Sequence, residues 1–344
     1  MTGYDAAMSS SAPGLVVAVT GPTGTFGSGV VPLLEAELRI DRIVGIARRP
    51  FDPSEHGWSK MEYRRGDVRD PDALSEAFEG ADVVVHLAFM ITGNASAETI
   101  REINVEGTLN AFRAARDAGA KRFVYASSVA AYGFHPDNPL GMKEDWPTRP
   151  ADRLFYAQEK AELEQLLQGE AELSPEPALY LLRPPIVLGP HALGAKGGVP
   201  APLARAGRGL LDLVKRLPVP VPMLTADMPM QFIHEEDVGR AILQCVVGEG
   251  PPGAYNIAGD GVLTGADVVR ELGLSPIAIP ARIVQTAARA AASMPKPSFT
   301  PPAADWVEAL SHPAIMDTTK AKEELGWRPK YTALEALRET LPKQ

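Results

Sequence analysis

Tyr156-Ala157-Gln158-Glu159-Lys160 separates a phenol from an ammonium by four positions, which stacks the two on one face of a helix. A phenol with a pKa of about 10 is a poor acid–base catalyst at neutral pH. A neighbouring positive charge stabilises phenolate and draws that pKa toward the working range. Upstream, Tyr125-Ala126-Ser127-Ser128 ends an apolar run. There Ser128 is placed to hydrogen-bond a substrate oxygen, polarising a carbonyl that Tyr156 protonates while a hydride arrives at the carbon. A Tyr-x-x-x-Lys pair alone is a weak signal, so its weight depends on the rest of the chain.

Thr20-Gly21-Pro22-Thr23-Gly24-Thr25-Phe26-Gly27 supplies the partner motif. It follows the first apolar run and precedes a helical stretch, where a sharp turn needs residues without Cβ and free helix N–H groups face a pyrophosphate. Gly21, Thr23, Gly24, Thr25, Phe26 and Gly27 are therefore cofactor-binding candidates, the plain alternative being an ordinary strand–helix turn. Folds of this kind that prefer NAD carry an Asp or Glu about twenty residues onward to hold the ribose 2′-hydroxyl. This chain has Ala47-Arg48-Arg49 there. Arg48 and Arg49 suit a 2′-phosphate, so NADP is expected, with NAD as the alternative and a pair of surface arginines as the structural reading. After the third strand, Asp67 and Val68 offer a carboxylate and an amide for the adenine edge.

The elements that must position these groups alternate regularly. Buried strands are expected at Leu15–Val19, Arg42–Ala47, Met61–Arg65, Ala81–Leu87, Arg122–Ala126 and Ala178–Leu182. Helices are expected over about 26–38, 72–79, 97–118 and 154–168 between them. Strand–helix alternation at this spacing predicts an α/β fold, a Rossmann-type doubly wound parallel sheet. Only six of the 32 prolines precede residue 135. Beyond residue 184 the proline-rich texture predicts short elements forming a smaller C-terminal substrate lobe. The expected division is a nucleotide-binding domain at 14–185 with 231–257, a substrate lobe at 186–230 with 258–344, and a flexible tail at 1–13.

The 344 residues are 45% hydrophobic and 22% charged, which excludes a disordered regulator, a fibre or a small stapled scaffold. The formal net charge of −9 gives no electrostatic reason to bind nucleic acid or an anionic membrane. A single cysteine, Cys245, precludes an internal disulfide or a thiolate zinc cluster and fits a reducing, cytoplasmic setting. No apolar run is long enough for a membrane span, and the most amphipathic stretch, 281–291, reads as a surface or lobe-packing helix. The six histidines lack paired metal-ligand spacing, so no metal is expected. His86 and His234 read as packing or hydrogen-bonding groups, while His135 and His191 follow strand ends and are candidates for the substrate pocket edge.

With Gly66-Asp67-Val68-Arg69-Asp70, His86-Leu87-Ala88, Asn104-Val105-Glu106-Gly107-Thr108, Ser127-Ser128 to Tyr132-Gly133, Leu182-Arg183-Pro184-Pro185 to Pro190, Phe232 to Val238, Tyr255-Asn256-Ile257 and Asp317 to Trp327, these motifs run in order from about Leu15 to Leu337. The chain thereby resembles an extended short-chain dehydrogenase/reductase of the NAD-dependent epimerase/dehydratase family. The resemblance implies that Tyr156 is the catalytic acid or base and that Lys160 binds the nicotinamide ribose while lowering the tyrosine pKa. Ser128, four residues before Tyr132, matches the family's catalytic hydroxyl, with Ser127 as its less fitting neighbour. Leu87, Ala88 and Phe89 would line the cofactor, and backbone groups of Pro184, Ile186 and Val187 would meet the nicotinamide carboxamide. Asn104 matches an Asn of the central helix, for which a structural contact is equally open. A homodimer built on two helices of the nucleotide domain is implied by analogy.

Three departures bear on substrate. Nucleotide-sugar members typically carry Asn where this chain has Ile186 and Arg where it has Met230, and sugar dehydratases carry Asp-Glu where it has Val129-Ala130. Apolar groups there weaken the grip on a nucleotide diphosphate and remove an acid–base pair needed to eliminate water. The expectation is an oxidoreductase acting on the ketone, aldehyde or alcohol of a relatively apolar small molecule. The alternatives are a nucleotide-sugar epimerase or reductase and a non-catalytic NADP-binding sensor.

Overall fold

The computed structural model describes residues 14–91, 95–192, 221–226, 228–280, 282–283, 286 and 312–341. In chain order the first part of the chain comprises β1 (Leu15–Thr20), α1 (Thr25–Ala36), β2 (Ile40–Ala47), β3 (Met61–Arg65), α2 (Pro71–Phe78), β4 (Val83–His86), α3 (Ala97–Arg101), α4 (Gly107–Asp117), β5 (Arg122–Ala126), α5 (Phe155–Glu172) and β6 (Ala178–Arg183). The remainder comprises β7 (Ile186–Leu188), β8 (Pro222–Ala226), β9 (Pro229–Met230), β10 (Phe232–His234), α6 (Glu235–Val247), β11 (Gly253–Asn256), β12 (Leu263–Thr264), α7 (Gly265–Glu271), β13 (Ser275–Ile279), α8 (Thr319–Glu324) and α9 (Ala333–Thr340). The central sheet has seven strands in the order β11-β6-β5-β4-β1-β2-β3, all paired in parallel. Chain order reverses between β1 and β4, the point at which such sheets open a crevice beyond their strand C-termini.

Each central strand is buried on both faces, which explains its unbroken apolar run. In β1, Val17 and Val19 face a core with Val30, Val31 and Leu34 of α1 and Val238, Ala241 and Ile242 of α6. Ala18 faces the opposite core, with Leu74, Phe78, Phe112, Phe123 and Leu163. This alternation is the period-2 side-chain geometry of a strand.

The long helix expected over 97–118 is interrupted. Glu102–Glu106 forms a π-helical turn between α3 and α4. Asn104 turns its amide inward to Met90, and the Thr108 hydroxyl donates to the Asn104 carbonyl, diverting that carbonyl from the regular ladder. Apolar periodicity does not register such a single-residue adjustment.

Outside the main sheet, β7 pairs with β10 in parallel, β8 with β13 in parallel, and β9 with β12 antiparallel. The tail at 1–13 and most of the stretch at 281–291 lie outside the described residues. No described helix is long and apolar enough to cross a membrane.

Candidate active site

The crevice is built where the C-terminal ends of β1, β4, β5 and β6 meet the starts of α1 and α5. At its phosphate end, Gly21 adopts φ +70°, and a Cβ there would stand 3.0 Å from the Ala88 backbone nitrogen. A Cβ on Gly27 would lie 2.1 Å from the Pro22 carbonyl oxygen. Both positions therefore require glycine, one for chain direction and one for close helix–turn packing. Gly24 is the N-cap of α1 without a side-chain cap, and no carboxylate sits in the first turn. The leading N–H groups of this twelve-residue helix consequently point into the crevice, a fit for a pyrophosphate. Thr23 and Gly24 are exposed, and Thr25 and Phe26 half-buried, at this opening.

At the ribose end, the β2 terminus is tied to β3. The Tyr63 hydroxyl donates to the Ala47 (2.9 Å) and Arg49 carbonyls, and Arg65 Nε donates to the Arg48 carbonyl at 3.1 Å. Arg48 and Arg49 are exposed, and neither forms an ion pair among the described residues. Asp67 is half-buried and Val68 buried. The Arg69 guanidinium lies 2.8 Å from Asp67 and holds its carboxyl below the usual carboxylate range. Arg69 also reaches Glu102 at 3.3 Å. Asp67, Arg69, Asp70, Glu102, Glu106 and Asn110 line the adjoining cleft.

At the reacting end, Ser128 caps the 3-10 turn Val129–Tyr132, its Oγ accepting from the Ala130 N–H at 3.1 Å. A hydrogen bond joins Ser128 to the Tyr156 phenol. Lys160, one helical turn after Tyr156, is 2% exposed and reaches the end of β5. It donates to Tyr125 Oη at 2.9 Å and to the Ala126 carbonyl at 2.7 Å. Burial pushes the Lys160 ammonium down to about 7, with Glu164 and Glu159 opposing the shift. Burial raises the Tyr156 phenol, and the Ser128 hydrogen bond pulls the other way. Lys160 Nζ lies 5.9 Å from the Tyr156 ring centre.

The Pro184 carbonyl accepts from the Val129 N–H at 2.9 Å, which ties it to the Ser128 turn. Ile186 and Val187 pair with Phe232 and Ile233 in the β7–β10 ladder, with Ile186 half exposed. His191 lies on the glycine-turn side of the crevice. Its Nδ1 is 2.7 Å from Glu235 Oε1, and its carbonyl accepts from Thr25 Oγ1 at 3.5 Å. His135 packs against Gly133, and its enclosed Nε2 has no hydrogen-bond partner among the described residues.

Leu87, Ala88 and Phe89 form the wall after β4, where Leu87 and Ala88 N–H groups both reach Thr20 Oγ1 at 3.2 Å. His86 is fully buried between Thr20 Oγ1 (2.9 Å) and Thr108 Oγ1 (3.0 Å), and burial pushes it down to about 3, so it is neutral. His234 caps α6, with its Nδ1 accepting from the Glu236 N–H. Among the described residues no group of His, Cys, Asp or Glu has metal-binding geometry.

Sequence reasoning missed the buried ion pair beneath the site. Glu164 on α5 is fully buried and meets Arg183 at the end of β6 at 2.5 Å. Ser127 Oγ donates to the same carboxylate, and Arg183 donates on to Tyr132 Oη at 2.6 Å. Tyr132 Oη in turn donates to Asn256 Oδ1 at 2.8 Å. The signal existed, since Glu164 continues the Tyr156–Lys160 spacing by another four residues onto the same face.

A family model described as "NAD dependent epimerase/dehydratase family" matches residues 17–258. UDP-glucose 4-epimerase of Vibrio cholerae is 26% identical over 345 residues, covering 94% of each chain. Ceramide reductase of Caulobacter vibrioides is 31% identical over 230 residues, covering 66% of this chain and 60% of that one. The solved structure of dTDP-glucose 4,6-dehydratase from Bacillus anthracis in complex with NAD superposes with a TM-score of 0.68 at 18% identity, covering 95% of each chain. The glycine turn, the parallel sheet order and the family match over most of the chain agree, and the protein belongs to the NAD-dependent epimerase/dehydratase family.

Proposed function

We propose that the protein is an NADP-preferring oxidoreductase that interconverts the alcohol and carbonyl of a relatively apolar small molecule. The observation that carries this reading is the Ser128–Tyr156 hydrogen bond at the strand C-termini, flanked by Lys160 and enclosed by apolar groups. Phe134 packs with Tyr156 on a cluster of Ala130, Ala151, Leu154 and Ala157, and Phe89 stands edge-on to the phenol. Ile186, half exposed on β7, and Met230, in the β9–β12 pair, add apolar groups where nucleotide-sugar relatives carry polar ones.

The bound nicotinamide supplies a hydride donor or acceptor. The chain's own groups handle the oxygen and its proton. In the reducing direction Ser128 donates a hydrogen bond to the substrate carbonyl oxygen, and Tyr156 delivers the phenolic proton to it as the carbon is reduced. In the reverse direction Tyr156 phenolate takes the hydroxyl proton. Lys160 holds the nicotinamide ribose, and the α1 N-terminus with Gly21, Gly24 and Gly27 holds the pyrophosphate. Asp67 and Val68 face the adenine. Arg48 and Arg49 bind the 2′-phosphate, since two exposed guanidinium groups stand where an NAD-preferring site needs a carboxylate. The described residues of 186–230 and 258–341 belong to the substrate lobe.

Consumption of NADPH with a panel of hydrophobic ketones and aldehydes tests the reading, and the expected result is saturable turnover with at least one of them. The epimerase reading draws support from the Vibrio cholerae relative, which matches along the whole chain. Saturable binding of UDP or dTDP without carbonyl turnover would favour it. NADPH binding with turnover on no substrate would favour a sensor.

A further inference from the structure

Lys160 Nζ has three N–H donors, and Tyr125 Oη and the Ala126 carbonyl take two of them. Its remaining side carries the Phe89 ring, whose centre lies 3.8 Å from Nζ, nearer than the ring of Tyr125 at 4.5 Å. Phe89 also meets the Tyr156 ring edge-to-face, at 5.6 Å and 88°. A ribose hydroxyl accepting from Lys160 would stand about 3 Å from Nζ. A ring centred 3.8 Å from Nζ crowds the approach of such a hydroxyl to the ammonium.

The backbone beside the ring is held on both sides. Met90 N–H donates to Asn104 Oδ1 at 2.7 Å, and Asn104 Nδ2 donates to the Met90 carbonyl at 2.9 Å. The same Nδ2 donates to Glu159 Oε2 at 2.7 Å. Glu159 is 7% exposed and precedes Lys160 on α5, a buried carboxylate for which the reaction has no use. It orients the Asn104 amide, which fixes the turn bearing Phe89. The nearby Arg101 pairs instead with Glu162, at 2.6 Å.

We propose that Phe89 competes with the nicotinamide ribose for Lys160 and so sets cofactor affinity, with Glu159 acting through Asn104 as the positioning residue that holds the ring in place. This rests on the reading above that Lys160 holds the ribose. In the free protein Phe89, part of the wall after β4, is thus also a stopper over the ammonium, which the sugar must displace. A contact between a ring and a desolvated ammonium opposes binding until it is broken.

Titrations of wild-type protein, Phe89→Ala and Phe89→Leu with NADPH, NADH and ADP test this. Phe89→Ala is expected to tighten both dinucleotides by about 2- to 30-fold, the span of ring–ammonium contacts. Phe89→Leu should fall between, and ADP, which lacks the nicotinamide ribose, should bind all three alike. Glu159→Ala should shift affinity in the same direction, while Glu159→Gln, which keeps an oxygen for Asn104, should restore the wild-type value. Unchanged or weaker dinucleotide binding by Phe89→Ala, with ADP unaffected, overturns the proposal. Should ADP binding change in the alanine variant, the leucine variant decides by the same criterion. Wild-type protein that binds neither dinucleotide overturns the cofactor reading itself, a different result from equal binding by all variants.

Discussion

Tyr156 in the free protein is held above its ordinary pKa by burial, so at neutral pH it carries its proton. That state suits an acid delivering a proton to a carbonyl and opposes a base removing one from an alcohol. Reduction is therefore expected to be level between about pH 6 and about pH 9, and oxidation to rise with pH across the same range. Initial rates in both directions on one alcohol–carbonyl pair check this. An oxidation rate that levels off near neutrality would show that the bound state draws the phenol down, as the spacing argument from Lys160 supposed. At the other end of the crevice, Arg48→Ala combined with Arg49→Ala should weaken NADPH binding by about 10- to 100-fold, the worth of charge-assisted hydrogen bonds. NADH affinity should barely move. Equal losses for the two dinucleotides would show that the arginines do not read the 2′-phosphate.

Helix α1, which begins at the glycine turn, rests on a close contact with α6. A Cβ on Gly239 would stand 2.2 Å from the Gly29 carbonyl oxygen, and one on Gly29 would stand 2.3 Å from that of Glu235. These are backbone atoms and cannot turn aside as a side chain would. Gly239→Ala is expected to destabilise the fold by about 1–3 kcal/mol through overpacking, read as a lower denaturation midpoint. A midpoint equal to that of the wild type would show that the helices part without cost. Neither glycine stood out in the sequence, since helix-to-helix approach is a property of paired faces. The strands and most helices were legible because burial on both faces leaves an unbroken apolar run, as in Val83-Val84-Val85. The π turn at Glu102–Glu106 was not, because it follows from where Asn104 finds a partner. The Glu164–Arg183 pair was half visible. Helical spacing marked Glu164, but Arg183 becomes its neighbour only once β6 is laid beside β5.

Across the whole molecule, the sheet brings the glycine turn, Ser128 and Tyr156 from separate stretches of chain to one crevice. The buried Glu164–Arg183–Tyr132 network fastens α5, β6 and the Ser128 turn together beneath it. Motif order sufficed to anticipate this gathering because the glycine turn and Ser128 each follow a strand of the same parallel sheet and Tyr156 opens the helix after the second of them. It did not suffice for His191, whose place beside Glu235 depends on how the chain leaves β7. The central claim is that one phenol performs the proton transfer in a site whose cofactor grip lies elsewhere. The most direct test compares wild-type protein with Tyr156→Phe for NADPH affinity and for turnover of the best substrate. The account predicts unchanged affinity and a turnover loss of about 100- to 10,000-fold. Turnover that survives the loss of the hydroxyl would contradict it.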